Sequence, residues 1–334
     1  MRTRPFGKLG WPVTEIGFGA WAIGGGWGDQ RDEDSLAALN RALDLGLTFI
    51  DTAAGYGNGR SERLIGQALK ARGLRGGGNG TIRVATKIPP NQPGSWPPVA
   101  GERAADRYPE AYLRRQVEER LRNLDTDTLD VLQLHTWSRT FNRDPEPLRV
   151  LAKLKQEGKL LAFGISTPEH DQNAMNELVR AGLLDSVQVI YNVFEQDPEE
   201  ELLPLCAERG VAVIVRVVYD EGSLTGKFTR DTVFAENDFR RQYFSGDRLG
   251  LTVDRVERLR EAVTKASGGA EQDLAAVAVR FALHHPAVST VITGIRSVRQ
   301  AELNCSYGTL PPLSDTVYAE LKHHAWRRSV WYGG

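Results

Sequence analysis

The chain has 334 residues, and its 42 Lys and Arg against 43 Asp and Glu leave a formal net charge of −1 at pH 7. That balance gives no global attraction to nucleic acid or to an anionic membrane, and no apolar run approaches the ~18 residues of a membrane span. Hydrophobic residues at 41% and charged residues at 25% describe an ordinary globular protein long enough to bury a large core. Cys206 and Cys305 make no disulfide framework and read as small buried hydrophobes. The opening segment Met1-Arg2-Thr3-Arg4-Pro5-Phe6 has no apolar signal core, so a cytoplasmic protein is expected.

In chain order, residues 4–14 hold two short segments about Gly7-Lys8-Leu9-Gly10, which suits a small hairpin. A first strand is expected at 15–19. A helix over 36–45 follows, begun by Asp34-Ser35 and closed by Gly46. The alternation then repeats with strand 47–50, helix 61–71, strand 82–88, helix 109–124, strand 129–135, helix 146–157 and strand 160–166. It continues with helix 172–180, strand 187–192, helix 199–209, strand 211–218, helices near 253–266 and 272–285, and strand 288–293. Eight short apolar runs separated by amphipathic helices predict a parallel sheet covered by helices, closed as a (β/α)8 TIM barrel rather than doubly wound. Residues after Ser297 are expected to form closing helices, followed by an aromatic tail over 326–332. No interdomain linker is evident, so residues 1–334 form one expected domain. Residues 73–80 are Gly-rich but follow a helix and precede a strand, which places them on the face away from catalysis. The loops 89–108 and 219–252 follow strands and fall on the face where barrels build active sites.

Polar groups end three of these strands. Asp51 closes the run Leu47-Thr48-Phe49-Ile50, with Tyr56 five positions later; Lys87 and His135 stand near the ends of two later strands. Together they form an acid–base group. A tyrosine, with an ordinary pKa of about 10, needs something that favours its phenolate. A buried Lys87 ammonium, held and oriented by Asp51, would supply that, while His135 hydrogen-bonds the reacting oxygen. Acid–base residues alone do not name the reaction, since a strand-end lysine on a barrel could also form a Schiff base.

The run Phe49-Ile50-Asp51-Thr52-Ala53-Ala54-Gly55-Tyr56-Gly57, with Ser61-Glu62, Leu64-Ile65-Gly66 and Leu69 behind it, resembles the first signature of the aldo-keto reductase superfamily. Ala85-Thr86-Lys87 and Leu132-Gln133-Leu134-His135 are similar to its next two stations, and the likeness runs from Gly17 to Asn304. The resemblance implies NADPH-dependent reduction of a carbonyl on a (β/α)8 barrel without a metal. It makes Tyr56 the general acid, Lys87 and Asp51 the residues that tune it, and His135 the residue that orients the substrate carbonyl.

The same resemblance implies the coenzyme contacts. Gly19-Ala20-Trp21 would lie beside the nicotinamide ribose, with Asp51 near and Trp21 also facing the substrate. Ser166 would hold the carboxamide with Gln188, and Thr167 stands where the family has an asparagine. Gly222-Ser223-Leu224-Thr225-Gly226-Lys227 resembles the loop that wraps the pyrophosphate, where backbone amides, a hydroxyl and an ammonium suit an anion. Arg216 stands where an aromatic often stacks on the nicotinamide; either Arg216 or Tyr219 would flank that ring. Gly294, Arg296, Ser297, Gln300 and Asn304 look like the segment that grips the adenosine end, with Leu303 in a place often given to glutamate. Arg296, a fixed cation with a bidentate fork, suits a 2′-phosphate and favours NADPH over NADH.

Trp21, Trp96 and Trp137, beside Tyr56 and His135, are the expected walls of a pocket for a small-molecule carbonyl substrate. Aldehydes, ketones, keto-sugars and quinones all fit that description, and the sequence leaves oligomeric state open. Two other readings remain: an NADPH-binding regulatory subunit with little turnover, and a Schiff-base aldolase using Lys87.

Overall fold

The computed structural model describes residues 1–328 except 75, 78, 79, 93–97, 100 and 170. Strands β1 (Thr3–Pro5) and β2 (Pro12–Thr14) pair antiparallel as the expected hairpin. Eight parallel strands follow: β3 (Ile16–Gly19), β4 (Phe49–Asp51), β5 (Arg83–Ile88), β6 (Leu129–His135), β7 (Leu160–Ser166), β8 (Ser186–Ile190), β9 (Ala212–Arg216) and β10 (Val288–Gly294). They close in the order β10-β3-β4-β5-β6-β7-β8-β9, so the barrel is observed and the doubly wound alternative is not.

The helices that cover it are α1 (Asp32–Asp44), α2 (Arg60–Ala71), α3 (Ala104–Arg107), α4 (Glu110–Leu124), α5 (Glu146–Gln156), α6 (Asn176–Arg180), α7 (Leu202–Arg209), α8 (Arg240–Tyr243), α9 (Arg248–Ala266), α10 (Leu274–His284), α11 (Val298–Tyr307) and α12 (Asp315–Lys322). Their apolar faces and the outward-facing strand residues make one continuous core. A second, smaller cluster fills the barrel interior: Phe49, Ala85, Val131, Ala162, Ala212 and Ile214, closed off by Phe6 and Val13 of the hairpin. The hairpin therefore plugs the end where the strands begin. Gly7 makes this approach possible: its φ is 51°, and a Cβ there would meet the Gly210 carbonyl oxygen at 2.5 Å. The opposite end, where the strands finish, stays available for chemistry.

Several boundaries differ from expectation for physical reasons. α1 begins at Asp32, four residues early, because Asp32, Glu33 and Asp34 complement the positive helix start. Ser35 is inside the helix, its hydroxyl donating to the Arg31 carbonyl at 2.9 Å. β9 stops at Arg216 instead of 218, since Val217 turns left-handed at φ 55°. The segment 172–180 opens with a 3-10 turn, Gln172–Met175, before α6. Two short helices, α3 and α8, lie inside the long loops.

Candidate active site

Asp51, Lys87 and His135 stand at the ends of β4, β5 and β6, and Tyr56 sits in the turn leading to α2. Asp51 and Lys87 are buried, at 1% and 0% exposure. The Lys87 ammonium donates to Asp51 Oδ2 at 2.6 Å, to the Thr52 carbonyl at 2.8 Å and to the Tyr56 hydroxyl at 3.4 Å. Asp51 Oδ1 accepts from the Gln188 amide at 2.7 Å and from Gln133 at 3.5 Å. The Tyr56 ring meets His135 edge-on, centroids 6.3 Å apart. α2 is anchored from behind: Glu62 accepts from Thr86 of β5 at 2.5 Å and pairs with Arg120 of α4 at 2.9 Å. That buried tie fixes the Tyr56 turn against the Lys87 strand.

Electrostatics give each group a defined proton state. Burial raises the Tyr56 pKa above its ordinary value, outweighing the Lys87 charge that lowers it. The ammonium does not make the resting phenol acidic, contrary to the expectation from sequence; Tyr56 holds its proton at neutral pH. Burial pulls the Lys87 ammonium down, but Asp51 and Tyr56 outweigh that and its pKa ends raised. A Schiff base needs a neutral amine, so a charged, three-fold hydrogen-bonded Lys87 is poorly placed for one. His135 falls to about 3 through burial and the charges of Lys87 and Arg216, and its imidazole is neutral.

Trp21 follows β3 and stacks on Tyr56 at 6.1 Å, as expected of a mouth wall. Trp137 is not one: it is fully buried, stacked on Tyr108 at 6.2 Å, with its indole N–H donating to Asn142 at 2.9 Å. Only Thr136 separates it from His135, but that residue has φ 93° and the chain turns back into the core. Trp96 lies outside the described residues. The wall completing the mouth was not singled out from sequence: Phe239 packs on Trp21 at 4.6 Å and on Trp27 at 5.1 Å. A bridge between Trp27 and Asp238, and the Asn237 amide donating to Asp29 at 2.9 Å, join these two loops above Trp21.

The expected coenzyme positions form a band from the acid–base group to the start of α11. Gly19 pairs with Asp51 on one side and Gly294 on the other, and Ala20 N–H donates to the Asp51 carbonyl at 2.9 Å. Ser166 lies between His135 and Gln188 in register. The Thr167 hydroxyl is turned away, donating to Gln172 at 2.6 Å, so it does not replace the missing asparagine. The Arg216 guanidinium donates to the Thr167 carbonyl at 3.0 Å, and its charge reaches both Tyr56 and His135. Tyr219 instead donates to Asn304 at 3.1 Å, so of the two candidates Arg216 is the one whose charge reaches the acid–base group.

In the loop beyond β9, Ser223 and Leu224 are buried, Gly222 and Gly226 are half-buried and Lys227 is exposed. Arg296 donates to the carbonyls of Trp27 and, at 2.9 Å, Asp29; Gln300 accepts from the Arg296 N–H at 2.9 Å. Ser297 caps α11 by accepting from Gln300 N–H at 3.2 Å, and Asn304 donates to the Gly294 carbonyl at 3.1 Å. Among the described residues, Arg216 Nε and Gln133 Oε1 are buried without a hydrogen-bond partner. Orphaned polar atoms at such a place, with the amides of a glycine-rich loop, fit a ligand bearing an amide and phosphates. Gln133 itself was missed from sequence, although a glutamine in the middle of an apolar strand, two residues before His135, was the available signal.

The fold is a closed (β/α)8 barrel whose strand ends gather a tyrosine, a lysine, an aspartate and a neutral histidine around one polar mouth, a set of groups suited to acid–base chemistry. Comparison narrows the class: the family model described as "Aldo/keto reductase family" matches residues 15–325, and the chain belongs to that family of oxidoreductases. It is 31% identical over 293 residues to "Aldo-keto reductase YhdN" of Bacillus subtilis, covering 87% of this chain and 83% of the relative. It is 32% identical over 268 residues to the "NADH-specific methylglyoxal reductase" of Escherichia coli, covering 77% and 79%. Among solved structures, the holo form of "aldo-keto reductase AKR11C1 from Bacillus halodurans" superposes with a TM-score of 0.75 at 26% identity, covering 97% of this chain and 96% of that one.

Proposed function

We propose that the protein reduces the carbonyl of an aldehyde or ketone, taking the hydride from NADPH and the proton from Tyr56. The observation that carries this reading is the Lys87 ammonium, anchored by Asp51 and placed 3.4 Å from a protonated Tyr56 hydroxyl. A bound NADPH supplies the hydride to the carbonyl carbon. Tyr56 gives its proton to the carbonyl oxygen as negative charge builds there, and Lys87 stabilises the phenolate left behind until solvent returns the proton. Neutral His135 donates its ring N–H to the same oxygen and fixes the substrate's orientation. Trp21 and Phe239 keep bulk water from the reacting atoms.

Ser166 and Gln188 would hold the carboxamide, the loop 222–227 the pyrophosphate, and Gly294 with residues 296–304 the adenosine end. The fork of Arg296 is the group for a 2′-phosphate, exchanging its bonds to the carbonyls of Trp27 and Asp29 for that anion. One relative is titled NADH-specific, so coenzyme choice is tested directly. A panel of aldehydes and ketones assayed with NADPH and NADH in parallel should show loss of dihydronicotinamide absorbance, faster with NADPH. Tyr56→Phe should reduce turnover by about 10²–10⁴ while coenzyme affinity is kept. Coenzyme binding with no turnover on any carbonyl would instead favour a regulatory role.

A further inference from the structure

The loop beyond β9 is held in a costly shape. Val217, Asp220 and Glu221 have φ of 55°, 48° and 54°, and Gly222 has φ of 101°. Only the glycine adopts that region freely, so the loop persists because its neighbours determine it. Some of the hold is local: the Asn192 amide donates to the Val217 carbonyl at 2.8 Å, and Leu224 is buried. The rest comes from 108 positions away. Asp220 is fully buried, and Arg328, beyond α12, donates to its Oδ2 at 2.9 Å and to its other oxygen through the second arm of the guanidinium. The Ser223 hydroxyl donates to the same carboxylate at 2.6 Å. Arg328 is itself fixed between the rings of Trp326, 4.7 Å away, and Phe194, 5.4 Å away, while Trp326 N–H donates to the Phe194 carbonyl at 2.8 Å.

A buried carboxylate is out of place in a loop meant to receive an anion. Its charge is poorly screened by solvent, and it lies within the loop read as the phosphate site, two residues from Gly222 and three from Ser223. We propose that Arg328 is a positioning residue for the dinucleotide loop: its bidentate pairing with Asp220 locks residues 217–226 in a shape with Val217, Asp220, Glu221 and Gly222 left-handed, and cancels the charge that would otherwise repel the coenzyme's pyrophosphate. The inference rests on the reading of that loop as a phosphate site. It makes the segment beyond α12 part of coenzyme binding, acting through Asp220.

The test uses the full chain with R328M, D220N and the double variant D220N/R328M, measuring NADPH affinity by tryptophan fluorescence, melting temperature, and amide hydrogen exchange over 217–226. R328M leaves an unpaired buried carboxylate and should weaken NADPH binding about tenfold or more. In the double variant that charge is gone, and affinity should recover to within about threefold of D220N. Exchange over 217–226 should accelerate in both variants lacking Arg328. R328K keeps the charge and loses the fork, and should fall between wild type and R328M; it stands in if R328M does not fold.

A merely structural tail would lower the melting temperature of R328M and of the double variant while leaving NADPH affinity within about twofold of wild type; that result overturns the proposal. A double variant as weak as R328M overturns the charge argument. Failure of the wild type to bind either nicotinamide dinucleotide would overturn the coenzyme reading instead, and the exchange rates alone would then decide whether Arg328 holds the loop.

Discussion

Lys87→Met removes the ammonium at the centre of the site and keeps much of the side-chain volume. A unit charge on the Tyr56 oxygen, 3.4 Å from Nζ, would interact with that ammonium by about 5 kcal/mol at an effective dielectric of about 20. Proton transfer is partial at the transition state, so about half of that is lost, and turnover should fall about a hundredfold. The substitution has a second cost. Asp51 would remain buried with only the amides of Gln188 and Gln133 to answer it, and an unpaired buried charge costs about 3–5 kcal/mol. The double variant Asp51→Asn/Lys87→Met removes that charge as well, so it should regain stability but not turnover. Urea denaturation and steady-state reduction of a carbonyl measure the two effects separately. A folded, NADPH-binding K87M with turnover within about fivefold of wild type would refute the reasoning.

The remaining predictions concern protons and space. His135, held at about 3 by burial, has a folded pKa below its unfolded value of about 6.5. Its neutral form therefore contributes stability present above pH 6.5 and lost as pH falls toward 3, about 2–3 kcal/mol of it by pH 4.5; His135→Gln should flatten that part of an acid-unfolding series. Glu221 is pushed up to about 8, first by burial and then by Asp220. Its folded state keeps a proton that the unfolded chain releases near 4.3, so stability drains away as pH rises from there to 8. Glu221→Gln should match wild type near pH 4 and melt higher at pH 8. A Cβ on Gly24 would meet the Tyr56 carbonyl carbon at 2.7 Å and its Cβ at 2.9 Å. Gly24→Ala should thus lower turnover by about tenfold or more without removing any reacting group, and unchanged kinetics would show that the Tyr56 turn is not held in place.

The parallel barrel was readable because each strand is a short apolar run between amphipathic helices, and Asp51, Lys87 and His135 were readable because each interrupts such a run at its end. A buried strand tolerates a charge only where the barrel opens, so position alone marked those groups. Trp137 was not readable in that way. It lies two residues past His135, but the left-handed Thr136 sends the chain inward, and no local pattern announces a positive φ at a threonine. Phe239 was hidden differently, since its partners Trp21 and Trp27 are more than two hundred positions away in the chain. The Asp220–Arg328 pair is the extreme case: each residue looks like an ordinary surface charge until the tail folds back beside the loop.

The Tyr56 hydroxyl bears on how such a site divides its work. In the proposed reaction, a phenol that burial keeps protonated is a poor acid in the resting protein and a good proton store, which a donor must be until a carbonyl arrives. The neighbouring ammonium is already committed to Asp51 at 2.6 Å and to Thr52 at 2.8 Å, and reaches the hydroxyl only at 3.4 Å. That third contact is loose while the oxygen is neutral and strengthens when it becomes a phenolate, so it stabilises the charged arrangement more than the resting one. Interactions of that kind raise the rate of the chemical step, whereas those made equally in both states raise affinity alone. On the proposed mechanism, Asp51 and the Thr52 carbonyl therefore hold Lys87 near enough to answer the charge when it appears, without drawing the proton off beforehand.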